Sequence, residues 1–273
     1  MFTLVAGTGY TGKRVLERLP DAAGLSRSPI ESNKPFYRFD FDAPGPFPLV
    51  LPGNHAVLYT CPPDGGTDQR LQQFLTALPA TPARFVYIST TGVYGDCRGA
   101  TVTEETPVNP GSPMSLPRVA AEERLSEWAA ANGTALVILR VPGIYGPGRL
   151  GLSRIEAGEA VLRESDANPG NRIHVDDLAS CCIAALDERV PAGIYNVGDG
   201  DHRSATWFAE EVARQANLPE PRKISREEAA LEFSPRRLAF LGASRRVDVT
   251  KMHEVLGVQP MTPEEGIRAS LGL

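Results

Sequence analysis

The tightest constraint on this chain lies at its N-terminus. There an apolar, strand-like run FTLVA (2–6) leads through AGTGYTG (6–12) into the helical pattern GKRVLERL (12–19). Gly7, Gly9 and Gly12 fall in GxGxxG spacing. The three positions answer three physical demands: a tight turn, close backbone approach to a pyrophosphate, and tight contact of helix on strand. The first N–H groups of such a helix also face the phosphates. The six residues alone would suit a purely structural turn. Set between a strand and a helix they point to a dinucleotide, which makes Gly7, Gly9, Tyr10, Thr11 and Gly12 candidate cofactor-binding residues.

Further short apolar runs follow: AVLYT (56–60), RFVYIS (84–89) and ALVILRV (135–141). They are nearly continuously hydrophobic and rich in β-branched or aromatic residues, as strands covered on both faces are. Helical patterns separate them at 67–78 and 119–132, the latter stopped by Asn132-Gly133. This alternation predicts an α/β fold with a doubly wound parallel sheet. From about residue 150 the pattern changes. Helices are expected at 152–165, at 171–186 after a short extended entry, and at 205–216, 226–233 and 262–271, with a strand at 194–199. Residues 1–150 thus read as a nucleotide-binding core. Residues 151–273 read mainly as a substrate lobe interleaved with the last core strands.

Composition narrows the partners. With 28 basic and 33 acidic residues the formal charge is −5, which favours neither nucleic acid nor an anionic membrane. Cys61, Cys97, Cys181 and Cys182 show no CxxC spacing, so neither a disulfide framework nor a metal site is indicated. The N-terminal apolar stretch is too short for a signal peptide, and no run approaches a membrane span. A cytoplasmic protein acting on a small molecule is the expectation.

The second strand, around 22–25, ends in Ser26-Arg27-Ser28. A dinucleotide fold ordinarily carries there an acid that holds the adenosine ribose. A hydroxyl and a guanidinium suit a 2′-phosphate instead, so NADP(H) is expected over NAD(H). The alternative for Arg27 is a solvated surface charge. Asp40, after the third apolar stretch, would either hydrogen-bond the adenine or cap a loop.

Several segments now line up with one family. VYISTTGVYGD (86–96), ILRVPGIYGPGR (138–149), RIHVDDLA (172–179) and GIYNVGDG (193–200) resemble an extended short-chain dehydrogenase/reductase of the NAD-dependent epimerase/dehydratase type. The resemblance implies a Rossmann-like core with a small C-terminal α/β substrate lobe. It also implies that Thr60, Cys61 and Pro62 wall the nicotinamide half of the cofactor and that Pro142 borders the nicotinamide. The family commonly has GxxGxxG, whose first glycine falls on Ala6 here, as in an atypical subgroup.

Catalysis in this family uses Tyr-x-x-x-Lys and a Ser/Thr at an earlier strand end. The Ser/Thr falls on Thr90, the Lys on Arg118 and the Tyr on Met114. A methionine transfers no proton, and an arginine keeps the charge without carrying a proton. No tyrosine lies between Tyr94 and Tyr145. Thr90, Arg118 and Tyr94 are therefore the candidate catalytic residues, with Arg118 also gripping the cofactor ribose. Tyr145 is a second substitute acid, and both tyrosines equally suit packed turns. Ser115 is a candidate helix cap. His174 reads as structural, with Asp176 or Asp177 capping the helix that follows it. Arg149 and Arg154 suit either solvent or an anionic substrate.

Two functions follow. One is hydride transfer by an oxidoreductase, epimerase or dehydratase on a small polar or sugar-nucleotide-like substrate, the proton coming from Tyr94, water or the substrate. The other is a non-catalytic NADP(H) sensor or scaffold. Because the family's helices beside the active-site strand often dimerise, a homodimer is a further expectation.

Overall fold

The apolar runs form one parallel sheet in the computed structural model, which describes residues 1–65, 68–112 and 115–273. Its strands are β1 (Phe2–Ala6), β2 (Ala22–Ser26), β3 (Phe36–Arg38), β4 (His55–Tyr59), β5 (Arg84–Thr90), β6 (Ala135–Val141) and β7 (Gly193–Asn196). They lie in the order β3-β2-β1-β4-β5-β6-β7, every pair parallel. The chain winds outward from β1 to β3, then returns beside β1 as β4 and winds the other way. Between β1 and β4 the direction reverses, and a crevice opens there at the carboxyl ends.

Helices α1 (Tyr10–Arg18), α2 (Gln69–Ala77), α3 (Leu116–Asn132) and α4 (Val175–Ala185) cover the two faces. Val5, Leu58, Val86 and Leu139 point toward Val15 and Leu16 of α1 and Leu178 and Cys182 of α4. Their strand neighbours Leu4, Val57, Phe85 and Ile138 point the other way, toward Leu71 and Phe74 of α2 and Leu125 of α3. Covering on both faces is why these strands are apolar at nearly every position. Beyond the sheet, α5 (Ala205–Gln215) and α6 (Pro263–Leu271) close a smaller core around Tyr145 and Ile155.

Two local readings are corrected, and one helix is added. The helix expected over 152–165 is only Leu152–Glu156. It ends before Gly158 at φ +70°, and Val161–Leu162 then pairs as a strand with Lys223–Ile224. Helix α4 is capped by neither Asp176 nor Asp177. His174 does this, its Nδ1 accepting from the Asp176 backbone N–H at 3.2 Å. Asp176 instead pairs with Arg14 and Arg18, and Asp177 accepts from the Met261 N–H. A helix over Pro235–Gly242, with Ser234 as its cap, was signalled by Ser-Pro but not foreseen.

A buried polar network ties the carboxyl half of the sheet together. Arg140 of β6 and Glu122 of α3 pair at 2.7 Å, their side chains 5% and 8% exposed. Arg140 Nη1 also donates to the Tyr94 hydroxyl at 3.0 Å, and that hydroxyl donates to Asn196 Oδ1 of β7 at 2.7 Å. Ser89 of β5 donates to Glu122. Removing one member of such a pair strands a charge in the interior, which costs about 3–5 kcal/mol. Glu122→Ala is therefore expected to lose about that much in urea denaturation. A loss like that of a surface pair, under about 1 kcal/mol, would contradict the assignment.

Candidate active site

The glycine turn has the geometry its sequence demands. Gly7 sits at φ +96°, and a Cβ there would stand 2.7 Å from Cys61 Sγ and 2.8 Å from Thr60 Oγ1. A Cβ on Gly12 would collide with the Gly7 carbonyl oxygen, so α1 lies on the turn at glycine distance. Gly9 is the N-terminal cap of α1 and faces open space, with nothing within 4 Å of where its Cβ would be. Ala6 is a fully buried strand residue paired with Leu25 and Tyr59, so its position does not need the family's glycine.

Thr60 closes this turn from the β4 side. Its backbone N–H donates to Ala6 O at 2.9 Å and its hydroxyl to Gly7 O at 2.5 Å. Cys61 Sγ adds a 3.7 Å contact to Ala6 O. Burial pushes the Cys61 thiol up to about 12, leaving almost no thiolate near neutrality. Its role here is packing. Alkylation of the native chain at pH 8, mapped by mass spectrometry, should mark the half-buried Cys97 well before Cys61. Early modification of Cys61 would contradict its burial.

At the end of β2, Ser26 is half-buried and Arg27 exposed. Arg27 Nη1 meets Asp42 Oδ2 at 3.0 Å. The same carboxylate takes Arg70 Nε at 2.7 Å, and Arg70 Nη1 donates to Pro62 O at 2.7 Å. Pro62, Arg70, Asp42 and Arg27 thus form a linked rim along the crevice. Sequence reading missed Arg70 and Asp42, because only the fold brings them to Arg27. Asp40 Oδ1 accepts from the Asp42 N–H at 3.0 Å, the loop-cap alternative.

The second half of the site gathers past the ends of β4 and β5. β4 ends at Tyr59, opposite Tyr87. Just beyond, Arg118 reaches back from the first turn of α3, its Nη1 donating to Ile88 O at 2.6 Å and to the Tyr87 hydroxyl at 3.1 Å. Thr90, the last residue of β5, accepts from the Gly92 N–H at 3.1 Å. Ser115 Oγ and Thr90 Oγ1 stand 2.8 and 3.3 Å from where a Gly92 Cβ would be, so two hydroxyls share the space that glycine leaves. Ser115 is buried and makes no side-chain cap bond; its hydroxyl lies 2.9 Å from that of Ser112. Ser115 does stand at the N-terminal cap position of α3, as expected. Met114 lies outside the described residues. Pro142 follows β6 at the same edge of the sheet and is half-buried.

The two nearest tyrosines are built into the interior. Tyr94 is 1% exposed, and its hydroxyl is engaged by Arg140 and Asn196. Tyr145 is buried against the rings of His174 and Phe208, at 5.2 and 5.1 Å. Burial raises the pKa of both phenols, the reverse of what a working acid near neutrality needs. His174 is held by the Asp176 N–H and by Ser270 Oγ at 3.1 Å, and burial lowers its pKa. Among the described residues no group of three His, Cys, Asp or Glu is placed to hold a metal ion. Among them, too, no helix is long and apolar enough to cross a membrane.

Residues 69–198 match the NAD dependent epimerase/dehydratase family. That stretch of the chain is similar to the family. It is 33% identical to Protein YeeZ of Escherichia coli (strain K12) over 156 residues, 56% of this chain and 54% of YeeZ. The chain thus spans about half the length of that curated relative. A functionally unknown conserved protein from Silicibacter pomeroyi DSS superimposes with a TM-score of 0.82 at 28% identity, covering 99% of this chain and 98% of that one. UDP-glucose 4-epimerase from Thermotoga maritima, solved with UDP-glucose, gives a TM-score of 0.77 at 19% identity over 100% of this chain and 98% of that one. At that identity the likeness is one of fold. The epimerase-like α/β architecture expected from the sequence is the one observed.

Proposed function

We propose that this chain binds a nicotinamide dinucleotide across the carboxyl ends of β1, β2 and β4. We also propose that it carries out epimerase- or dehydratase-like hydride chemistry on a small polar or sugar-nucleotide-like substrate. The observation that carries the reading is the glycine turn. Gly7 and Gly12 exclude side chains, Gly9 opens onto free space, and Thr60 holds the whole turn rigid. The family's named cofactor, NAD, agrees with such a cradle.

NADP(H) is the form favoured by the rim. Arg27 is 63% exposed, and its partner Asp42 is shared with Arg70. Exposed pairs of this kind are worth at most about 1 kcal/mol, so a phosphate ester can displace the carboxylate. Arg27→Ala should weaken NADPH roughly 10- to 100-fold, the range of a charged hydrogen bond, and leave NADH unchanged. Calorimetric titration of both cofactors checks this. Equal losses, or tighter NADH binding that ignores the substitution, would reject the preference.

A bound nicotinamide would supply or accept the hydride. Thr90 accepts the Gly92 N–H through a lone pair, which leaves its own O–H free to donate to a substrate oxygen. Arg118 is a fixed charge for the ribose hydroxyls and does not carry the proton. With Tyr94 and Tyr145 enclosed, that proton comes from water or from the substrate. The same enclosure favours a second reading, a non-catalytic NADP(H) sensor or scaffold. NADPH oxidation across carbonyl compounds and nucleotide sugars separates the two. Turnover abolished by Thr90→Ala supports the enzyme, and tight cofactor binding without turnover supports the sensor.

Four free thiols suit a reducing cytoplasm. A homodimer would use the outer groove between α2 and α3, about 280 Å³, which Leu75, Thr76 and Trp128 help to line.

A further inference from the structure

Arg149 occupies a place that the dinucleotide reading above does not explain. It ends the loop 146–149 after the short strand Gly143–Tyr145, a turn closed by its own N–H donating to Gly146 O at 2.9 Å. This loop is pressed onto Tyr10, the first residue of α1 and the neighbour of the open Gly9. The Tyr10 hydroxyl donates to Pro147 O at 3.0 Å. A Cβ on Gly146 would stand 2.5 Å from that hydroxyl and 2.7 Å from Val175 Cγ1, so only glycine allows the approach.

The Arg149 guanidinium carbon lies 3.9 Å from the centroid of the Tyr10 ring. Arg14 also stacks on that ring at 4.4 Å, but Arg14 is compensated. Its Nε is 3.4 Å from Asp176, and its Nη1 donates to Tyr10 O at 2.9 Å. Arg149 is exposed, and among the described residues its guanidinium has neither a carboxylate partner nor an acceptor. An aromatic face thus holds a cation without a counter-charge beside the one glycine of the turn that opens outward. Stacking on a ring fixes a guanidinium without using its N–H donors.

We propose that Arg149 clamps the diphosphate of the bound dinucleotide, facing the N–H groups at the start of α1. The diphosphate lies between two positive sources, one of backbone and one of side chain. This residue acts on the group common to both cofactors, whereas Arg27 acts on the 2′-phosphate that only one of them has. The inference rests on the dinucleotide reading, and the two fail in different ways.

The test is calorimetric titration of NADH, NADPH, ADP-ribose and UDP-glucose into the full chain, Arg149→Gln, Arg149→Lys and Tyr10→Leu. Arg149→Gln is expected to weaken NADH, NADPH and ADP-ribose by the same factor, roughly tenfold or more, as loss of a charged hydrogen bond does. The NADPH-to-NADH preference and the melting temperature should not move. Arg149→Lys should recover part of the loss, and Tyr10→Leu, which removes the stacking face, should imitate it. Unchanged binding of all three adenine ligands in Arg149→Gln overturns the inference and spares the cofactor reading. A loss confined to UDP-glucose also overturns it, assigning the cation to a substrate diphosphate. Absence of any nicotinamide nucleotide binding by the unmodified chain overturns both.

Discussion

The structure depends on how closely α1 approaches the turn that precedes it. Gly12 has no room for a Cβ against the Gly7 carbonyl, and Gly7 has none against Thr60 and Cys61. This contact fixes the direction of α1 and leaves Gly9 facing outward. Thr60 then joins the end of β4 to the end of β1, across the point where the sheet reverses its winding. A parallel sheet presents all its carboxyl ends on one side. The same rim therefore collects Ser26 and Arg27 from β2, Thr90 from β5 and Pro142 after β6.

The polar interior explains what became of the tyrosines. Tyr94 belongs to a closed set with Arg140, Glu122 and Asn196 that joins β5, β6 and β7 to α3. Within that set the phenol is a structural donor and acceptor, and burial holds it protonated. Arg118 keeps a cation at the sheet edge, and Thr90 and Ser115 keep hydroxyls beside it. On the proposed reading these groups hold the cofactor and polarise an oxygen, while the proton comes from water or the substrate.

Much of this was legible in the residues. Apolar runs at 2–6, 84–89 and 135–141 mark strands within a residue of their observed bounds, because a strand covered on both faces has few polar positions. The lack of any tyrosine between positions 94 and 145 was likewise plain from the chain itself. The helix at Pro235–Gly242 and its Ser234 cap carry a local signal, but other misses depend on partners distant in sequence. Asp42 and Arg70 meet across 28 residues, and Arg18 engages the Asp176 carboxylate across 158. Val161 and Leu162 continue a helical pattern locally, yet they pair with Lys223 and Ile224. Neither periodicity nor capping rules carry such information.

On the proposed reading, the nicotinamide cradle functions without a tyrosine acid. A crystal structure of the chain with NADPH tests it most directly. The account predicts the diphosphate over Gly9, the nicotinamide ribose within hydrogen-bond reach of Arg118, and Thr90 as the hydroxyl nearest nicotinamide C4. Tyr94 should remain bonded to Arg140 and Asn196. A cofactor bound elsewhere, or a Tyr94 or Tyr145 hydroxyl released from the interior to face C4, would contradict it.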